Sequence, residues 1–260
     1  MKKNTVSIIL LWALGAIIFL FLILPIIRII ASSDIGIFFQ AAQDKKVLTS
    51  IFITLECAAY ATIFSAIFGV ALAYIIARYD FWGKSFMESA INIPVIIPHT
   101  AAGIALLSIF SKEFFIGRWL GLFNISVVDS KLGIVIGMFF VSAPFLINAS
   151  INAFRAIDEK LEKTARTLGA NFGQTFFKIS LPLAKNGILK GMLMMWARGI
   201  SEFGAVVVLA YHPMVAPVLI FENFEAYGLK YSKPLAALLI IICLVIFFIL
   251  TAIGRKNAES

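Results

Sequence analysis

Apolar residues follow one another along this chain in long, nearly unbroken runs, without the alternation of a half-buried strand or the charged back of a surface helix. In lipid each backbone polar group must find its partner within its own segment, so an apolar run of about 18 residues or more predicts a spanning helix. Six such spans are predicted, over residues 6–30, 48–77, 86–110, 132–154, 187–211 and 234–253. The third is punctuated by Pro94 and Pro98, which remove backbone donors and kink it. The fifth contains Arg198 and Glu202, whereas the sixth has no charge at all. The fold class is therefore an all-α integral membrane protein. With no repeat of about 20 to 50 residues and no linker-like tract, the chain reads as a single transmembrane domain over residues 1–260.

Composition agrees, since 61% of the residues are hydrophobic and the mean hydropathy is +0.99. Charge sets the orientation, because Lys and Arg are retained on the cytoplasmic side. Lys2, Lys3, Arg78, Lys84, Arg255 and Lys256 fall on one side, together with seven basic residues between the fourth and fifth spans. That side carries 13 basic residues against 8 on the other. Both termini are predicted to be cytoplasmic, in a multi-pass protein of the cell membrane. The net charge of +8 does not call for nucleic acid as a partner, because the basic residues flank spans and face anionic lipid headgroups. The first apolar run exceeds the 7 to 15 residues or so of a signal-peptide core, so a retained helix is expected. Cys57 and Cys243 lie inside predicted spans and indicate neither a disulfide framework nor a metal site.

Catalytic patterns are missing where they would be needed. Gly83-Lys84-Ser85 resembles the end of a phosphate-binding loop, but the position five residues before Gly83 is Arg78, not glycine. A short turn between two spans also offers no preceding strand. No nucleotide site, cofactor or metal is expected, and the chain is not read as an enzyme. His99 and His212 lack metal-ligand spacing, and His99 reads as a polar tip lining the proline kink or the outer interface.

The cytoplasmic loop over residues 155–186 is too polar to span a membrane and too regular for a tether. It predicts two short helices. Asp158 caps the first, Leu161, Ala165 and Leu168 share one face, and Gly169 suits a left-handed stop. Phe172, Phe176 and Ile179 share a face of the second, which is expected to end before Leu181-Pro182. Such a hairpin cannot bury its apolar faces alone, so it must pack under the bundle, against a soluble partner, or both. The alternative is a hairpin that lies on the headgroups.

The string Leu161-Glu162-Lys163-Thr164-Ala165-Arg166-Thr167-Leu168-Gly169-Ala170, followed by Phe176, Ile179 and Leu181-Pro182, resembles the coupling-loop signature of ABC importer permeases. Lys163 and Thr164 stand where that signature usually has Glu and Ala, while Ala165 and Gly169 fit it. The resemblance implies a type I importer permease fold in which Glu162, Lys163, Thr164, Ala165, Leu168 and Gly169 dock a cytoplasmic ABC ATPase. The Lys163 departure leaves the charge pairing at that contact open.

A second string, Arg198-Gly199-Ile200-Ser201-Glu202-Phe203-Gly204-Ala205, resembles the fifth-helix region of the oxyanion branch of these permeases. Ile93-Pro94-Val95-Ile96-Ile97-Pro98-His99-Thr100-Ala101-Ala102-Gly103-Ile104 is similar to its archaeal-type molybdate and tungstate members. The family implies a homodimer above two ATPase copies, fed by an extracytoplasmic oxyanion-binding protein and working by alternating access. Arg198, Ser201, Glu202 and Phe203 are then expected near the translocation pathway. From the residues alone, Arg198 and Glu202 can equally be a self-satisfying i,i+4 pair, and Glu56 can lie at the outer interface. Gly133, Gly137, Gly187 and Gly191 have small-xxx-small spacing, which serves contacts between subunits or within one chain. An ion-coupled secondary anion carrier is the rival, with Glu56 and Glu202 as its relay.

Overall fold

Most of the predicted spans become single long helices, and the two that do not are interrupted where proline or charge disturbs the apolar pattern. The computed structural model describes the backbone of residues 2–259 and the side chains of residues 8–252. The side chains of Lys2, Lys3, Arg255 and Lys256, used above for orientation, lie outside the described residues. In chain order the helices are α1 (Lys2–Ala31), α2 (Ile35–Gln43), α3 (Lys45–Arg78), α4 (Lys84–Ile91), α5 (Ile93–Ile96), α6 (His99–Phe110), α7 (Phe115–Leu122), α8 (Lys131–Arg155), α9 (Glu159–Thr167), α10 (Phe172–Thr175), α11 (Leu181–Ile200), α12 (Gly204–Leu209), α13 (Ala216–Tyr227) and α14 (Leu229–Glu259). No strand occurs among the described residues.

Among the described residues four stretches can cross a membrane by length and composition, Ile8–Ala31, Lys45–Arg78, Lys131–Arg155 and Leu229–Ala252. A fifth is added if the bent pair of α4–α5 and α6 is counted as one span, its halves meeting at 109°. The bend falls at Ile97-Pro98, where the prolines were expected to break the ladder. The predicted fifth span differs from a simple rod. Its helix α11 starts at Leu181, carries Lys185, Lys190 and Arg198 within 20 residues, and stops at Ile200 before the short α12.

Two compact units are distinguished, residues 1–48 with 220–242, and residues 49–219 with 243–260. Within the first, Asp34 caps α2 by accepting from Ile37 N at 3.0 Å, and Lys46 faces Glu222 at 3.9 Å. The second holds the chemistry described below. Its centre is α8, which buries residues on nearly every turn, from Gly133 to Phe154.

Against α8 lies α11, and glycine decides how close it comes. A Cβ added at Gly187 would stand 2.5 Å from Ala153 Cβ, and one at Gly191 would stand 2.7 Å from Ala149 Cβ. In lipid, where no hydrophobic force draws helices together, such close backbone approach provides the packing energy. Gly133 faces the Val127 carbonyl and Gly137 faces Val206. All four glycines are thus covered by this chain itself, which decides the open small-xxx-small reading in favour of packing within one chain.

Ends are pinned by polar contacts. Arg155 at the end of α8 meets Glu88 of α4 at 2.6 Å, and Asn148 donates to Asn92 at 2.7 Å. Buried Thr54 of α3 accepts from Ala216 N at 2.8 Å, which fixes the start of α13. Glu56 pairs with Lys131 at the start of α8, at 2.7 Å, so it sits at that end of the bundle and away from the junction described below.

Candidate coupling surface and pathway junction

The loop between α8 and α11 folds as its caps dictate. Asp158 accepts from Lys160 N at 2.9 Å to start α9. Gly169, at φ +90, ends it: Gly169 N donates to Arg166 O and Ala170 N to Ala165 O, both at 3.0 Å, the paired bonds of a Schellman stop. Asn171 and Gln174 then form a reciprocal capping box at 2.9 and 3.0 Å, which opens α10. The second helix does not end before Leu181-Pro182 as expected. It passes through a π turn (Phe176–Ser180) directly into α11. Leu181 N donates to Phe176 O, a wider ring that ends at the proline, and Pro182 occupies the first turn of α11, where no N–H is required.

One face of this hairpin is fastened inward. Glu162 is buried and accepts three hydrogen bonds: from Arg78 Nε at 2.9 Å, Ser180 Oγ at 2.8 Å and Tyr74 Oη at 3.2 Å. Arg78, the last residue of α3, also donates to Ile157 O at 3.2 Å. The Arg78 and Glu162 side chains are each only 6% exposed, so the pair is desolvated and is held by the hydroxyls around it. Beside it Tyr74 meets Phe176, Phe154 and Phe172 edge-on, with ring centroids 4.9, 5.2 and 5.9 Å apart.

The opposite face is left open. Leu161 is 50% and Leu168 83% exposed, and Lys163, Thr164 and Gly169 are exposed beside half-buried Ala165. Lys163 turns along the helix to Glu159 at 2.9 Å, and its hydrogen bond holds the Glu159 carboxyl below the usual range. Glu162 therefore faces the protein's own α3, and the five other expected docking residues form the outward surface. The Gly83-Lys84-Ser85 turn is simply a helix start, with Gly83 at φ +88 and Lys84 paired to Asp80 at 2.8 Å.

A second constellation lies where two interrupted helical stretches meet. Between α5 and α6 the break is Ile97-Pro98, and between α11 and α12 it is Ser201 to Phe203. Glycine again permits the approach, since a Cβ on Gly204 would stand 2.7 Å from His99 Cβ and one on Gly103 would stand 2.8 Å from Ala205 O. At the crossing Glu202 is fully buried, with Oε1 accepting from Ala205 N at 2.9 Å to cap α12. Its Oε2 lies 2.9 Å from His99 Nδ1 and 3.0 Å from Arg198 Nη2. Arg198 Nη2 also lies 2.8 Å from the His99 ring, and Nη1 reaches Ser201 Oγ at 3.3 Å. Phe203 precedes α12 half-buried, its carbonyl accepting from Val207 N at 2.8 Å.

The family described as "Binding-protein-dependent transport system inner membrane component" matches residues 65–258, which take in both constellations. The chain belongs to that family. It is also 43% identical over 249 residues to the molybdate/tungstate transport system permease protein WtpB of Thermococcus kodakarensis, covering 95% of this chain and 96% of the relative. WtpB of Methanocaldococcus jannaschii is 43% identical over 243 residues, covering 93% and 94%. In fold the chain is similar to the bacterial alginate ABC transporter solved with an alginate pentasaccharide-bound periplasmic protein, at a TM-score of 0.78 with 18% identity, over 100% and 99% of the two chains.

The permease is thus a multi-pass membrane component of a transport system, and not an enzyme. Its site residues are legible to different degrees. Arg198 and Glu202 do form the i,i+4 pair that their spacing allows, and Ser201 joins them. His99 lies at the proline kink, one of its two expected places; its contact with Arg198, 99 residues away, had no sequence signal, and only the approach of the two breaks brings it in. The Arg78, Tyr74 and Ser180 anchors of Glu162 carried no motif. The Asn171/Gln174 capping box did have a sequence signal, a polar cap with Gln three residues on.

Proposed function

We propose that this permease is the membrane-spanning subunit of an ATP-driven importer that passes a tetrahedral oxyanion, molybdate or tungstate, into the cytoplasm. The observation that carries this reading is identity above 40% over nearly the whole length of two permeases named for those anions. In this reading residues 1–260 form one permease domain with six spans and both termini in the cytoplasm. Two copies form a homodimer in the lipid bilayer, above two copies of a cytoplasmic ABC ATPase and beneath an extracytoplasmic oxyanion-binding protein.

The outward face of α9 is the ATPase contact, with Lys163, Thr164, Ala165, Leu168 and Gly169 presented and Glu162 holding the helix to α3. ATP draws the two ATPases together, the coupling helices follow, and the dimer opens outward to receive the anion. Hydrolysis returns it inward. Exposed Leu168 has no other evident use, and a double L161D/L168D variant is expected to lose ATPase co-purification by about tenfold or more while keeping its helical content. Wild-type ATPase stoichiometry in that variant would exclude this face as the contact.

The reading as a whole is tested by ATP hydrolysis in the reconstituted complex of permease, ATPase and binding protein, with molybdate, tungstate, sulfate and phosphate compared. Stimulation by molybdate and tungstate is expected. A stable complex stimulated only by another anion would overturn the substrate, and an ATPase that never binds would restore the ion-coupled carrier.

A further inference from the structure

We propose that Arg198, His99 and Ser201 form a weak relay site for the oxyanion midway across the membrane, with Glu202 as a built-in counter-anion that keeps the affinity low. The inference rests on the importer reading above and adds to it a specific point of contact.

Depth comes first. Helix α6 has 12 residues from His99 to Phe110 and is followed by Ser111, Lys112 and Glu113. At about 1.5 Å per residue, His99 lies roughly 18 Å along α6 from that polar end, which for a helix standing upright in the bilayer is near the middle of a hydrocarbon core about 30 Å thick. From the other side, Arg198 stands eight residues beyond Lys190, about 12 Å along α11. A guanidinium and an imidazole at that depth are costly against lipid.

Exposure then gives direction. Glu202 is completely buried, whereas the Arg198 side chain is 24% and that of His99 33% exposed. The carboxylate is sealed behind the guanidinium and the imidazole, so the triad presents no carboxylate charge outward. Because an exposed guanidinium edge is disfavoured in lipid, that edge faces a polar space, and in a permease that space is the pathway. Interrupted spans meeting at the midplane are where membrane transporters tolerate irregular backbone, since it lines a cavity there.

Charge sets the strength. A planar guanidinium has five N–H donors in a fork that fits two oxygens of a tetrahedral anion, and Glu202 and His99 engage the Nη2 side. Nη1 has only a 3.3 Å contact with Ser201 Oγ, a hydroxyl that can turn to an anion. Arg198 and Glu202 cancel in net charge, so an arriving dianion is attracted by the near guanidinium and opposed by the carboxylate behind it. That balance suits conduction, which needs entry without retention.

The test uses the full complex in proteoliposomes, with oxyanion uptake and ATP hydrolysis measured together. Substituting Arg198→Gln is expected to lower tungstate uptake about tenfold or more in complexes that still contain the ATPase; R198K should retain intermediate uptake. Glu202→Gln is expected to act in the opposite sense on retention: permease and ATPase without binding protein should hold tungstate measurably, as wild type does not, and R198Q/E202Q should hold none. A merely structural triad would instead lose assembly and hydrolysis together in all variants, or leave uptake unchanged in R198Q; either outcome overturns the relay site. Wild-type complex that transports no oxyanion would defeat the importer reading, and with it the site, so the two failures are told apart by the wild-type control.

Discussion

Arg78→Ala is expected to lower the stability of the purified permease by about 3 to 5 kcal/mol, because it strands the Glu162 carboxylate in a desolvated pocket. The cost is high because removing one partner of a buried ion pair leaves the full desolvation penalty of the other, whereas the intact pair contributes little net. Glu162→Gln keeps the shape and the hydrogen-bonding capacity near Ser180 and Tyr74, and is expected to cost less. Replacing both charges, as in R78M/E162L, should recover part of the loss, but the Tyr74 and Ser180 hydroxyls then lose an acceptor, at about 1 to 3 kcal/mol each where nothing replaces it. Thermal unfolding of the four proteins in one detergent checks the ranking. If R78A melts with wild type, the pair contributes nothing and the hairpin is held by its aromatic cluster alone.

Gly191→Val should be more damaging to assembly than most substitutions in the chain. Its Cβ would fall 2.7 Å from Ala149 Cβ, closer than real Cβ atoms approach, and a tight 3.1 Å from Leu146 Cδ1, so α8 and α11 must separate. Overpacking costs about 1 to 3 kcal/mol even where a core can adjust, and here two helix backbones have to move together. The prediction has an internal control. Gly191→Ala should be destabilising alone, and Ala149→Gly should relieve most of that in the double variant, because the pair then only exchanges which helix supplies the methyl. Strict additivity in that cycle would mean that the two positions do not share a contact.

The long apolar helices were readable because lipid imposes one rule on every segment, and the proline break at Ile97-Pro98 was readable because proline acts locally. Asp158 and Gly169 were equally plain, since caps need only their own neighbours. What escaped was non-local. His99 looked isolated because its partners lie a hundred positions on, and Arg78 looked like an orienting charge at a helix end. The hairpin also reverses the usual rule of apolar inside and charged outside. Leu161 and Leu168 look outward and Glu162 inward, so the periodicity grouped the exposed apolar residues without saying that the carboxylate was the anchor. The run through Leu181-Pro182 could not be foreseen, because a π turn has no distinguishing composition.

That π turn has a mechanical consequence. Since α10, the turn and α11 are continuous from Phe172 to Ile200, the hairpin and Arg198 ride on one shaft. Eighteen residues separate Ser180 from Arg198, about 27 Å at 1.5 Å per residue. A tilt of only about 5° about the hairpin end therefore swings the guanidinium by roughly 2 Å, more than a hydrogen bond can stretch. Gearing of this kind needs no chain of side-chain contacts, because the backbone is the lever and Gly187 and Gly191 are its bearing.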